Sequence, residues 1–180
     1  IVPWKWYVTH AAPETFINNS IATVQTDIFA LGMTLYRMVN GVSDWEMCLQ
    51  SISNVETAIK SGKLIDKLPM SPIVPEKVIR IIRKACNKDP QKRYNSASEM
   101  RNAIEKLQPL YDWAKVSDFD WKGTSEGNPQ KEICIVPKRN AISVLVYNNN
   151  RKSSSDSKKF ADMLDAKKYM FEYIKQTTLK

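Results

Sequence analysis

Residues 24–40 (Val-Gln-Thr-Asp-Ile-Phe-Ala-Leu-Gly-Met-Thr-Leu-Tyr-Arg-Met-Val-Asn) are apolar on nearly every face once Thr26 and Asp27 are passed. A helix of that kind is stable only when other elements enclose it, so the segment predicts a core helix with the rest of its domain arranged around it. Thr26 or Asp27 is placed to serve its N-terminus, and Asn40-Gly41 offers a left-handed stop.

The flanking segments keep a helical grammar. Ser43-Asp44 is an N-cap signal for a mixed helix from about Trp45 to Lys60, ended by Ser61-Gly62. Leu64 to Val74, with Pro69, Pro72 and the adjoining Pro75, reads as a loop. From Pro75 onward Val74, Val78, Ile81, Ile82 and Ala85 share one face while Lys77, Arg80, Arg83 and Lys84 take others, and Pro75 suits the first turn. After a turn at Asn87 to Asn95, Ser96 or Asn95 caps a helix with Ala97, Met100, Ala103, Ile104 and Leu107 on its apolar face. At least four helices therefore precede residue 109, and no strand pattern interrupts them.

Beyond that point the pattern changes. Residues 109–126, rich in Asp and Trp, read as a linker; Glu132 to Val136 and Ala141 to Tyr147 are β-rich runs joined by a hairpin at Pro137-Lys138-Arg139-Asn140. Asn148 to Ser157 is polar and reads as a mobile loop. Asp156 or Ser157 then opens a last helix with Phe160, Met163, Leu164, Phe171 and Ile174 facing inward. The expected fold class is mainly α: a helical portion over 1–108, the linker 109–126, and a small α+β domain of ββα order over 127–180.

The formal net charge of +8 is uneven, at +4 over residues 1–108, −2 over 109–130 and +6 over 131–180. The basic excess near the C-terminal end favours an acidic protein partner there, or serves as a solvated face. Arg151-Lys152-Ser153-Ser154-Ser155 with Lys158-Lys159 lacks the interleaved aromatics of a single-strand nucleic-acid surface, so no clear nucleic-acid signal is present. The apolar runs fall short of the ~20 residues a membrane helix needs, and no signal peptide is readable at Ile1. Cys48, Cys86 and Cys134 are odd in number and widely spaced, which argues against a disulfide framework or a zinc site. They read as buried thiols in a reducing, cytoplasmic compartment.

Three short motifs occur in one order: Ala12-Pro13-Glu14, then Asp27-x-Phe29-x-x-Gly32, then Asp89-Pro90-x-x-Arg93. Gly41-x-x-Asp44-Trp45 lies between the second and third, and Ser96-Ala97-x-Glu99-Met100 follows. Together they resemble the lower half of a protein kinase catalytic domain, in the flavour of bacterial Ser/Thr kinases, over residues 1–108. Ala12-Pro13-Glu14 resembles the close of the activation segment, and Asp27 with Gly32 the start of the central helix. The resemblance implies that Glu14 pairs with Arg93, whose planar guanidinium permits a two-pronged contact that Lys could not copy. It also implies that Asp27 organises the catalytic loop through backbone N–H groups; the lesser alternative, from its position alone, is a helix cap.

Aligned on Ala12-Pro13-Glu14, Trp6-Tyr7-Val8-Thr9-His10 stands where the family has Gly-Thr-x-x-Tyr, so Tyr7 replaces the Thr that contacts the catalytic Asp. Tyr7, Thr9 and His10 are the candidate substrate-pocket or activation-segment residues. Thr9 is a phosphorylation site or a structural residue, and His10, the single histidine, reads as a packing residue.

No Gly-rich phosphate loop, His-Arg-Asp or Asp-Phe-Gly precedes Ala12, and Asp118-Phe119-Asp120 lies on the wrong side of the motif set and lacks the Gly. The resemblance thus implies a Ser/Thr-type protein kinase, with ATP and Mg2+ as cofactors of the parent protein and a protein substrate. The catalytic, ATP-binding and metal-binding residues are expected upstream of this chain, which alone is expected to be inactive and to bind neither cofactor. The alternative is a non-catalytic, pseudokinase-like scaffold that binds a partner protein.

Overall fold

The computed structural model describes residues 8–16 and 22–180. The chain divides into two compact units, Ile1–Leu107 and Gln108–Lys180.

In the first unit, two 3-10 turns, Val8–His10 and Pro13–Phe16, precede helix α1, Val24–Val39. Thr23 is the N-cap of α1, and Thr26 braces it: the Thr23 N–H donates to Thr26 Oγ1 at 3.0 Å, and that hydroxyl donates to the Thr23 carbonyl at 2.7 Å. The helix thus starts one turn earlier than the sequence suggests. Ile28, Phe29, Gly32, Met33 and Tyr36 are buried, whereas Leu31 and Met38 are 45% and 72% exposed. The described residues therefore enclose this helix on only part of its circumference.

The helix expected over Trp45–Lys60 is two, α2 (Trp45–Leu49) and α3 (Val55–Lys60). The Asn54 side chain accepts from the Thr57 N–H at 3.0 Å and caps a second start that periodicity alone conceals. A short helix α4, Leu64–Lys67, occupies the start of the expected loop. Helix α5, Glu76–Ala85, buries Val78, Ile79, Ile81, Ile82 and Ala85, with Pro75 at its N-cap, just outside the first turn. Helix α6, Ala97–Glu105, follows a 3-10 turn at Pro90–Lys92; Ser96 caps it by accepting from the Glu99 N–H at 3.1 Å. Ile28, Ile81, Ala85, Tyr94 and Met100 form a core cluster, with Leu35, Ala103 and Leu107 packed against it.

The second unit overturns the expected fold class. It is a five-stranded antiparallel meander, β1 (Asp112–Lys115), β2 (Asp120–Thr124), β3 (Lys131–Lys138), β4 (Ala141–Asn148) and β5 (Arg151–Phe160), followed by helix α7, Met163–Thr178. With this sheet the chain is not mainly α, and the unit is not ββα. The segment expected as a linker supplies β1 and β2. Gly123 lets the Trp113 ring pack closely across the pair, since an added Cβ would stand only 3.0 Å from it. The segment expected as a mobile loop is β5. Asn149 and Asn150, at φ 46° and 64°, form the two-residue left-handed turn that suits the twist of a tight hairpin, and Asn148 pairs with Arg151 across it. Strand β5 lies at the sheet edge, where charged and polar side chains are the norm, so apolar alternation was never required of it.

Ile133 and Ile135 lie opposite Val146 and Val144. All four are buried, as is the Ala166, Met170 and Ile174 stripe of α7, which packs against β3 and β4. The α7 N-cap is Asp162, which accepts from the Asp165 N–H at 2.9 Å. Phe160 therefore belongs to β5, and Leu164 is exposed rather than inward. Of the cysteines only Cys86 is buried; Cys48 and Cys134 are half-buried, and all three are free thiols.

Candidate functional site

Arg93, the C-cap of the Pro90–Lys92 turn, is brought by the chain's return after α5 against the Pro13–Phe16 turn. Its Nη1 donates to Glu14 Oε1 at 2.6 Å and its Nη2 to Glu14 Oε2 at 2.8 Å, the two-pronged geometry that fits guanidinium to carboxylate. Nη1 also donates to the Gln25 carbonyl at 2.8 Å, and Nε to the Asn87 carbonyl at 2.7 Å. One side chain thus ties together the Glu14 turn, the first turn of α1 and the chain following α5. The guanidinium carbon lies 5.0 Å from the centre of the Phe29 ring. The Arg93 side chain is fully buried, while that of Glu14 keeps 23% exposure.

A buried charge of this kind is tolerable only when its donors are occupied. Partial burial by itself would raise the Glu14 carboxyl pKa. The Arg93 hydrogen bonds, a backbone N–H and the guanidinium charge outweigh it, so the carboxyl is held below its ordinary range.

Thr9 is buried, and its hydroxyl shares a hydrogen bond of 3.2 Å with His10 Nδ1. His10 meets the Trp45 ring edge-on at 5.5 Å between centres, and Trp45 stacks on Tyr36. Burial, helped by the Arg37 charge, lowers the His10 pKa and favours the neutral ring. Tyr7 lies outside the described residues. Asp27 is exposed in the first turn of α1, and its carboxylate makes no hydrogen bond or ion pair with a described residue. Gly32 faces α5 and allows that helix to approach.

Beside Thr9 runs a mostly apolar groove of about 410 Å³, walled by Val8, Phe16, Leu49, Val55 and Ile59, with Glu56 and Lys60 among its lining residues. Those two form an exposed ion pair at 2.6 Å. The structure therefore joins Thr9 to His10 and Glu14 to Arg93, and leaves the Asp27 carboxylate out of the fork although Arg93 bonds the same turn of α1. The groove walls were not singled out in the sequence; their only signal is that Leu49, Val55 and Ile59 are apolar residues on helices too short to form a core of their own. Among the described residues no group of three or more His, Cys, Asp or Glu side chains converges to hold a metal ion.

The family model described as "Protein kinase domain" matches residues 5–104. The chain belongs to the protein kinase domain family. It is 34% identical over 86 residues to the "Probable serine/threonine-protein kinase CPE1738" of Clostridium perfringens, covering 47% of this chain and 12% of that protein. It is 32% identical over 101 residues to the serine/threonine-protein kinase PrkC of Bacillus subtilis, covering 54% and 15%. To the serine/threonine-protein kinase PknD of Protochlamydia amoebophila it is 25% identical over 131 residues, covering 71% and 13%. The chain thus matches between 12 and 15% of the length of these relatives.

Proposed function

We propose that this chain is the lower-lobe portion of a Ser/Thr-type protein kinase, in which the parent protein transfers the γ-phosphate of ATP to protein hydroxyl groups. The observation that carries the reading is the Arg93 fork on Glu14, inside the region matched by the family model. A fork with two further ties, to the Gln25 carbonyl in the first turn of α1 and the Asn87 carbonyl after α5, holds the Pro13–Phe16 turn as a wall. The apolar groove against that wall suits an extended protein segment presenting its hydroxyl. The exposed Leu31 and Met38, on a helix whose composition calls for enclosure, fit a larger parent that covers them.

ATP and Mg2+ are implied by the family. Among the described residues no carboxylate or histidine cluster fits the ion; the family resemblance assigns both cofactors to other parts of the parent, and no step of the transfer is placed on this chain's residues. The described helices include none long and apolar enough to cross a membrane, and the free thiols suit a reducing compartment such as the cytoplasm. The basic residues of β5 remain a candidate surface for an acidic protein partner.

The test is transfer of radiolabelled γ-phosphate by the parent protein to a generic Ser/Thr acceptor. Magnesium-dependent labelling that falls with Arg93→Ala supports the reading. A parent that binds partner proteins but transfers no phosphate overturns it in favour of the scaffold.

A further inference from the structure

The α3–α4 connection, the end of α5 and the Pro90–Lys92 turn enclose a second cleft, of about 360 Å³, on which four cations, Lys63, Arg83, Lys88 and Lys92, converge with one carboxylate, Asp66. The side chains of Lys63, Arg83 and Lys88 have no ion pair or hydrogen bond with any described residue, that of Asp66 pairs with none of them, and the Lys92 ammonium reaches only the Asp89 carboxylate, at 3.9 Å. Lys60, Lys84, Arg93 and Arg101 each hold a carboxylate, whereas Lys67 and Arg80, which do not line the cleft, are like its cations in holding none among the described residues. Arg83 by itself complements the negative end of α5. That explanation does not extend to Lys63, which comes from a different segment, or to Lys88 and Lys92, which lie beyond the helix.

The backbone carrying these side chains is fixed. Gly62, at φ +67°, lies against Lys88 so tightly that a Cβ on it would stand 2.6 Å from the Lys88 Cβ. The Asn87 carbonyl accepts from Arg93, and its side-chain oxygen accepts from the Asp89 N–H at 3.0 Å. The backbone beneath the Lys63 and Lys88 side chains is thus tied in place, which lowers the backbone part of the ordering cost of binding.

We propose that this cleft binds a phosphorylated side chain on a protein segment. A phosphate monoester carries about −1.5 to −2 at neutral pH and offers three acceptor oxygens, which matches an arginine fork flanked by lysines. The four cations are themselves exposed, so a free small anion is held weakly there, and useful affinity requires a tethering chain. Among the described residues no aromatic side chain lines the cleft, so they offer a nucleotide or single-stranded nucleic acid no stacking surface. The inference does not depend on whether the parent transfers phosphate.

The test uses the 180-residue chain and amide NMR shifts. The probe is a Gly/Ala nonapeptide with one central phosphoserine, set against its unphosphorylated twin, inorganic phosphate and a uridine hexanucleotide. Saturable shifts at Gly62, Lys63, Asn87 and Lys88 with the phosphopeptide are expected. Arg83→Gln and Lys88→Gln should each weaken binding by about fivefold, the effect of an exposed ion pair, and Lys106→Gln should not. All three sites are on the surface, so retained amide dispersion separates lost binding from lost fold. Equal shifts with the unphosphorylated twin, saturation by inorganic phosphate at the same concentration, tighter binding of the hexanucleotide, or no shifts at these four amides would each overturn the proposal.

Discussion

Gly32 lies so near α5 that a Cβ built on it would stand 2.6 Å from the Cys86 Sγ and 2.7 Å from the Ala85 Cβ. The Ala85 Cβ is fixed to a helix backbone and cannot swing aside. We predict that Gly32→Ala destabilises the first unit, because overpacking costs roughly 1–3 kcal/mol while the gain in helix propensity returns only about 1 kcal/mol. Urea unfolding checks the sign; a variant more stable than the parent would mean that the helices part freely.

Arg93 should tolerate no truncation. Arg93→Ala leaves the carbonyls of Gln25 and Asn87 and the Glu14 carboxylate without their donor, and breaking a buried pair in this way costs about 3–5 kcal/mol. Arg93→Lys restores the charge but not the fork, so it should recover only part of the loss. Equilibrium unfolding of the two variants, followed by far-ultraviolet circular dichroism, measures both.

The same pair sets an acid limit. The Glu14 carboxyl is depressed in the folded protein relative to its ordinary value of 4.5, so its contribution is fully present above that pH and is lost as pH falls through the folded value. Glu14→Gln should flatten this part of the stability profile below about pH 4.5. An unchanged acid profile in the variant would assign the loss to other carboxylates.

His10 acts in the same direction at higher pH. Its folded pKa lies below the ordinary 6.5, so the folded state resists protonation, and the stability it supports is present above about pH 6.5 and declines below it. An imidazole NMR titration should place the folded midpoint under 6.5 with a shift felt at Trp45. A midpoint at or above 6.5 would contradict the burial of the ring.

For the second unit, limited proteolysis should spare residues 112–115 and 120–124, since their backbone is engaged in β1–β2 and β2–β3 pairing, whereas the exposed turn at 116–119 is open to cutting. Preferential cutting inside either strand would restore the linker reading and remove two strands from the sheet.

How far the sequence could be read depended on the kind of signal each element carries. The apolar run of α1 and the stripe of α5 announce themselves because burial fixes their composition. Glu14 and Arg93 are 79 positions apart, and only the order of family motifs makes two distant charges a pair. The break between α2 and α3 was legible in Asn54, but a continuous period over the region masked it. Strand β5 carries no burial signal, since Arg151, Lys152, Ser153, Ser154 and Ser155 satisfy an edge in water, and its one local clue is the Asn149-Asn150 turn. Phe16 and Ile59 meet across the groove from separate segments, a proximity that no local pattern encodes.

The strand order β1-β2-β3-β4-β5 follows the chain without a crossover, so every pairing closes a short loop, and little chain entropy is spent in bringing partners together. The sheet can therefore grow hairpin by hairpin as it leaves the ribosome. Its cover arrives last: Ile133, Ile135, Val144 and Val146 stay wet until α7, the final sixteen-residue helix, has been synthesised. A stop codon between Phe160 and Ala166 would thus yield a paired but greasy sheet, an aggregation-prone product whose defect lies in what was never made rather than in any altered residue.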